Sequence, residues 1–198
     1  MKRIGCLLLL LFLAGCLKLE RQYPQRDSFV LDIGGDGPAV AAGIDAHLQV
    51  RRLELSPRFA GTGFYYRTGE LTYEGDFYNR FLASPATLIT EETRRWLTAA
   101  GLLDPPASRP GELADLVVEG EITALYGDFR ARPQAVMEIR FNLLSARTAR
   151  AEILLRRSYR QEIPLVENNP TALVEGWNQA LRRILTEFEA DLRQTVAR

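Results

Sequence analysis

Between Leu116 and Arg160 apolar and polar residues alternate with period two in three successive stretches. Leu116, Val118, Ile122, Ala124 and Tyr126 fall on one parity, and Glu119, Glu121 and Thr123 on the other. Met137, Ile139, Phe141 and Leu143 oppose Glu138, Arg140 and Asn142; Ile153, Leu155 and Tyr159 oppose Arg156, Ser158 and Arg160, with Arg157 interrupting the apolar row. Side chains alternate across a strand, so this pattern predicts three antiparallel strands with one greasy and one charged face. The period then changes. Leu173, Val174, Trp177, Leu181, Ile184, Leu185, Phe188 and Leu192 recur at helical spacing after Asn169-Pro170, with Glu175, Arg182, Arg183, Glu187, Glu189 and Arg193 opposite. That stripe predicts a long helix covering the sheet's apolar face, with a coiled-coil partner as the alternative.

An earlier helix is predicted from Ser84-Pro85, a hydroxyl to cap the free amides and a proline at the first position. Its stripe is Ile89, Thr93, Trp96, Leu97 and Ala100, and Gly101 ends it. Upstream, Phe29 to Ile33 predicts a first strand, closed by the turn formers Gly34 to Pro38; Ala39 to Ala46 reads as loop. His47 to Leu55 predicts a strand whose apolar parity switches between Val50 and Leu53, the mark of a bulge at Arg51-Arg52 or of burial on both faces. Phe64-Tyr65-Tyr66 and Glu70 to Glu74, set between glycine turns, predict a hairpin. Leu102 to Leu113 holds three prolines and reads as a surface loop. The whole predicts an α+β fold: a two-layer domain with a mixed, largely antiparallel sheet of about six strands covered by two long helices.

The N-terminus has a different logic. Lys2 and Arg3 precede an apolar run from Ile4 to Leu13, too short for the roughly 20 residues a spanning helix needs. Basic start, greasy core and small-residue cleavage site make a secretory signal. Leu13-Ala14-Gly15-Cys16 resembles the lipobox of bacterial lipoproteins, which implies that Cys16 is lipidated and becomes the first mature residue. The expected organisation is a signal peptide over 1–15, lipidated Cys16 and a tether over 16–27, and one domain over 28–198. In lipoproteins of that class the residue after the cysteine influences sorting, and the resemblance, with Leu17 there instead of aspartate, implies the outer membrane of a Gram-negative cell, facing the periplasm. Anchoring of this kind is durable, since each buried methylene contributes about 0.8 kcal/mol.

Composition narrows the chemistry. Removing the signal takes Lys2 and Arg3 away, leaving 23 basic against 25 acidic residues, with no concentration of positive charge to suggest nucleic acid. With Cys6 removed and Cys16 lipidated, no internal disulfide is available. His47 is the single histidine, and no nucleophile elbow, metalloprotease helix or phosphate loop occurs. Glu70, Glu74 and Asp76 lie close in sequence but read as solvated carboxylates beside turns. The expectation is a protein that is no enzyme and carries no cofactor or metal beyond the covalent lipid.

Phe64-Tyr65-Tyr66-Arg67-Thr68-Gly69-Glu70-Leu71-Thr72-Tyr73-Glu74, then Asp76-Phe77-Tyr78, and Ala124-Leu125-Tyr126-Gly127-Asp128-Phe129 resemble the ABC-type transport auxiliary lipoproteins, as found in the paraquat-inducible Pqi system. The resemblance implies an auxiliary component of a lipid transport system, docking an envelope-spanning MCE-domain protein that works with an ABC permease and ATPase. Tyrosine and arginine are enriched at binding hot spots. Tyr65, Tyr66, Arg67, Tyr73, Phe77 and Tyr78 are therefore the candidate partner contacts, with core packing as the alternative role for each. A homo-oligomeric ring would suit a tubular partner. Two other functions compete with this one: a periplasmic carrier enclosing lipid between sheet and helices, and a structural lipoprotein of the envelope.

Overall fold

The computed structural model describes residues 25–34, 44, 46–103, 113–147 and 151–197. The signal, Cys16, the tether up to residue 24, most of the segment from the Gly34 turn to Ala46, and positions 104–112 of the proline loop lie outside the described residues.

In chain order the strands are β1 (Asp27–Phe29), β2 (Leu48–Val50), β3 (Glu54–Leu55), β4 (Gly63–Arg67) and β5 (Tyr73–Phe81). Helix α1 (Pro85–Ala99), strands β6 (Leu116–Asp128), β7 (Gln134–Ser145) and β8 (Glu152–Pro164), and helix α2 (Pro170–Val196) follow. One eight-stranded sheet runs β1-β5-β4-β6-β7-β8, with β2 and β3 also on β6. Strand β6 is the spine. One of its edges pairs with β7 antiparallel along its length, and the other takes β2, β3 and β4 in turn, all parallel. The α+β two-layer expectation holds.

The strand count exceeds about six partly because the His47–Leu55 stretch splits in two. Its parity switch is a break at Arg51–Leu53, where Leu53 N–H leaves the ladder and donates to Thr90 Oγ1 of α1 at 2.9 Å. The first strand also differs. β1 ends at Phe29, and the residues expected to continue it cross the helices instead, with Leu31 and Ile33 buried. Their backbone finds side-chain partners: Asp32 N–H donates to Asn178 Oδ1 (3.1 Å), Ile33 N–H to Glu92 Oε2 (3.4 Å), and Arg182 donates to the Ile33 carbonyl. A strand-like sequence is thus satisfied without a strand.

Two further expectations fail through register shifts. A bulge between Ile122 and Ala124 turns β6 over, so Leu116, Val118, Ile122 and Leu125 enter the main core. Ala124 and Tyr126 join Phe59 and Val136 in a small second cluster on the other face. A shift opposite Leu143/Leu144 likewise takes Ile153 out of the apolar row and leaves it exposed. One inserted residue exchanges the faces of everything beyond it.

Helix α2 lies on the apolar face with its entire predicted stripe buried. Trp177 sits at its centre, 4.9 Å from the Phe64 ring and 5.3 Å from Phe81, and Phe188 stacks on Phe141 at 4.1 Å. The sheet occupies this stripe, which leaves none of it for a coiled-coil partner. Helix and sheet come close at Gly176, where an added Cβ would stand 2.6 Å from Ala135 Cβ. Asn169 caps α2 by accepting from Ala172 N–H at 2.8 Å, whereas the Ser84 hydroxyl makes no capping bond on α1, whose first turn closes on the Ser84 carbonyl. Gly101, at φ 70°, supplies the left-handed residue that ends α1. Glu189, predicted on the polar side, is buried and accepts from Trp96 Nε1 at 2.9 Å, tying the two helices together.

Candidate docking surface

The six candidate residues divide into two groups. Tyr65, Tyr66 and Arg67 on β4 have internal partners. Tyr65 donates its hydroxyl to the Ala60 carbonyl (2.8 Å) and packs edge-on against Phe59. Tyr66 packs on Phe129 and donates to Asp76 Oδ2 at 2.5 Å. Burial first, then that bond and the neighbouring carboxylate charge, push the Tyr66 phenol well above its usual range. Arg67 braces the turn, donating to the Glu70 carbonyl at 2.8 Å. Tyr65 and Tyr66 thus pack against the core while Arg67 holds the hairpin turn.

Tyr73, Phe77 and Tyr78 on β5 are different, with relative exposures of 42%, 65% and 46%. Tyr73 leans its ring on Tyr126 (5.3 Å) and Phe59 (6.1 Å), so it is held from below and open above. Burial against these rings, and Tyr126 beside it, raise its phenol pKa. Phe77 and Tyr78 meet at right angles, ring centroids 5.4 Å apart, and the Arg26 guanidinium covers Phe77 at 4.0 Å.

Asp76 produces this display. Its Oδ1 accepts from the backbone N–H groups of Tyr78 (2.7 Å) and Asn79 (3.0 Å), and its Oδ2 from Tyr66 and from Asn79 Nδ2 (2.7 Å). The strand is irregular here: β4 and β5 shift register between Gly63/Arg80 and Tyr65/Gly75. Two consecutive aromatic residues consequently both stand in solvent, which a regular strand with one buried face would not allow. The signal in the sequence is Gly75-Asp76 within a strand pattern, a pair disfavoured in strands and typical of bulges. Arg26, which no periodicity marks, escaped the sequence reading.

The other polar residues singled out in the sequence have partners within the fold. Glu70, Glu74 and Asp76 each serve a different partner, Arg130 (2.6 Å), Thr68 (2.9 Å) and Tyr66 respectively, and do not converge on a common point. His47 anchors a strand end, its N–H donating to Asp115 Oδ2 at 2.9 Å. The sheet face away from the helices holds a concavity of about 700 Å³ among Arg51, Arg52, Glu119, Glu121, Arg140 and Arg156. Ion pairs Arg51–Glu119 and Arg140–Glu121 cross it. Exposed pairs of this kind contribute about 0–1 kcal/mol each, and the surface is a solvated charged lattice. Among the described residues no three His, Cys, Asp or Glu side chains gather as a metal would need, and no helix is long and apolar enough to cross a membrane.

No family model and no curated protein matches the chain. Solved structures do. A Xanthomonas campestris protein described under DUF330 superposes with a TM-score of 0.63 at 15% identity, covering 77% of this chain and 90% of its own. An uncharacterized protein gives 0.61 at 16% identity, covering 83% of this chain and 99% of its own. A hypothetical protein of Chlamydia trachomatis gives 0.54 at 12% identity, covering 76% and 97%. At these identities the likeness is one of fold, and it extends over nearly the full length of each neighbour.

Proposed function

We propose that this chain is a lipid-anchored, non-enzymatic auxiliary component of an ABC/MCE-type lipid transport system, docking an envelope-spanning MCE-domain protein at the outer membrane. The observation that carries the reading is the exposed aromatic row of Tyr73, Phe77 and Tyr78 on a strand fixed by Asp76. Large rigid rings that are already ordered gain contact area at little entropic cost, which is the usual character of a protein-binding hot spot. The resemblance of the same segment to transport auxiliary lipoproteins supplies the identity of the partner.

The carrier alternative is less well supported. A lipid chain between sheet and helices would need room there, and the space is filled by Trp177, Phe64, Phe81, Phe141 and Phe188, all fully buried. In-cell photocrosslinking tests the docking reading: a photoreactive residue at 73, 77 or 78 is expected to capture an MCE-domain protein, and one at Arg156 on the charged face is not. Failure at all three β5 positions, with the protein still folded and membrane-bound, would rule the reading out.

A further inference from the structure

The lipid anchor leaves open which end of the domain meets the membrane, and the register of β1 decides it. β1 runs parallel to β5 with Asp27 opposite Asn79, and Arg26 lies over Phe77. Gln25 and Arg26 therefore leave the sheet in the direction of Tyr73 and the β4–β5 turn.

Other elements finish at that same end. Arg67 of β4 pairs with Asp128 at the close of β6, and Gln134 at the start of β7 pairs with Pro164 at the close of β8. Asn168, Asn169 and Leu173 share a shallow hollow of about 290 Å³ with Tyr66, Thr68 and Glu74, which brings the β8–α2 loop beside the hairpin turn. These two connections each carry one apolar side chain in nearly full solvent: Leu71 at 96% and Val166 at 95% exposure. Both stand clear of the core, and the β6–β7 turn adds exposed Arg132, while Arg130 beside it is held by Asp128 and Glu70. Leu113 (93%), Leu82 (67%), Ile153 and Val30 are exposed toward the opposite end, so exposed apolar area does not choose between the two ends, and the direction in which β1 enters the sheet does.

We infer that the domain stands on the bilayer on its turn end, with Leu71 and Val166 entering the headgroup region and Arg132 beside the lipid phosphates. This rests on the lipid-anchor reading. The tether has the length for it: eleven residues reach at most about 36 to 40 Å, and Asn79 lies only six residues, about 20 Å, from Tyr73. Seating the opposite end would require the tether to reverse its direction. Isolated aliphatic tips with the exposed Arg132 nearby suit the membrane interface, where apolar groups enter and cations meet anionic lipid.

The test uses the acylated full-length mature protein, which has no cysteine other than Cys16. Leu71→Cys, Val166→Cys and, as control, Glu152→Cys are labelled with an environment-sensitive fluorophore. The proteins are then reconstituted on vesicles of phosphatidylethanolamine and phosphatidylglycerol. Iodide quenching at 71 and 166 is expected to fall about threefold or more on the vesicles while 152 stays open, as burial at the interface requires. Equal access at all three positions in vesicle-bound protein, or equal protection, would overturn the orientation. Flotation reads the anchor separately. Protein that fails to float overturns the anchor, and with it the orientation.

Discussion

Phe81 and Phe77 lie on one strand, yet Phe81 is buried between Phe64 and Trp177 while Phe77 stands in solvent under Arg26. Residue type is the same, so backbone register makes the difference. From Asn79 onward β5 follows the pairing that sends alternate side chains into the core; at Asp76 a carboxylate captures two backbone N–H groups and breaks that alternation. One region turns aromatic area into stability, the other into an accessible surface. The same contrast separates Tyr66, hydrogen-bonded and half-buried, from Tyr73, supported beneath and open above.

If this division is right, stability and partner binding respond to different substitutions. The largest expected loss is Trp177→Ala. Removing a fully buried ring that touches Phe64 and Phe81 is expected to cost about 3–5 kcal/mol in urea unfolding. Next is Gly176→Ala. In an open helix this change would stabilise by about 1 kcal/mol, but here the new methyl meets Ala135, and overpacking is expected to cost about 1–3 kcal/mol instead. A stabilised variant would show that α2 can shift on β7.

Smaller effects are expected around Asp76. Tyr66→Phe removes one hydrogen bond to the carboxylate and is expected to cost about 1–2 kcal/mol. Burial by itself would raise the Asp76 pKa, but the bonds from Tyr66, Asn79 and Tyr78 outweigh it and hold the group below the usual carboxylate value. A depressed carboxylate stabilises the fold above its unfolded pKa, near 4, and loses that contribution as pH falls through the lower folded value. The stability gap between wild type and Asp76→Asn should therefore be full at neutral pH and narrow on acidification below about pH 4. A gap that widens there would contradict the assignment. Smallest of all, Phe77→Ala with Tyr78→Ala should change stability by no more than about 0.5 kcal/mol, as exposed substitutions do.

Much of this was legible in the sequence. The α2 stripe and the β7 alternation survive intact because each depends on a single uninterrupted period. The reading failed where one residue breaks the period: at the Ile122/Ala124 bulge, at Ile153, and at Asp76. It failed again where side chains replace strand partners, as Glu92, Asn178 and Arg182 do for Asp32 and Ile33. Glu189 looked solvated since nothing local shows that Trp96, far away in sequence, donates to it. Of the six candidate contacts, the sequence could locate the aromatic segment but not separate its buried half from its displayed half, which is decided by register.

The most direct test of the docking claim is recovery of the MCE-domain partner from detergent-solubilised membranes by acylated wild type and by the Phe77→Ser/Tyr78→Ser double variant, at matched fold stability and membrane content. Loss of two hot-spot rings is expected to reduce recovery by about tenfold or more. Recovery equal to wild type would show that the exposed row on β5 holds no partner, and the account would be contradicted.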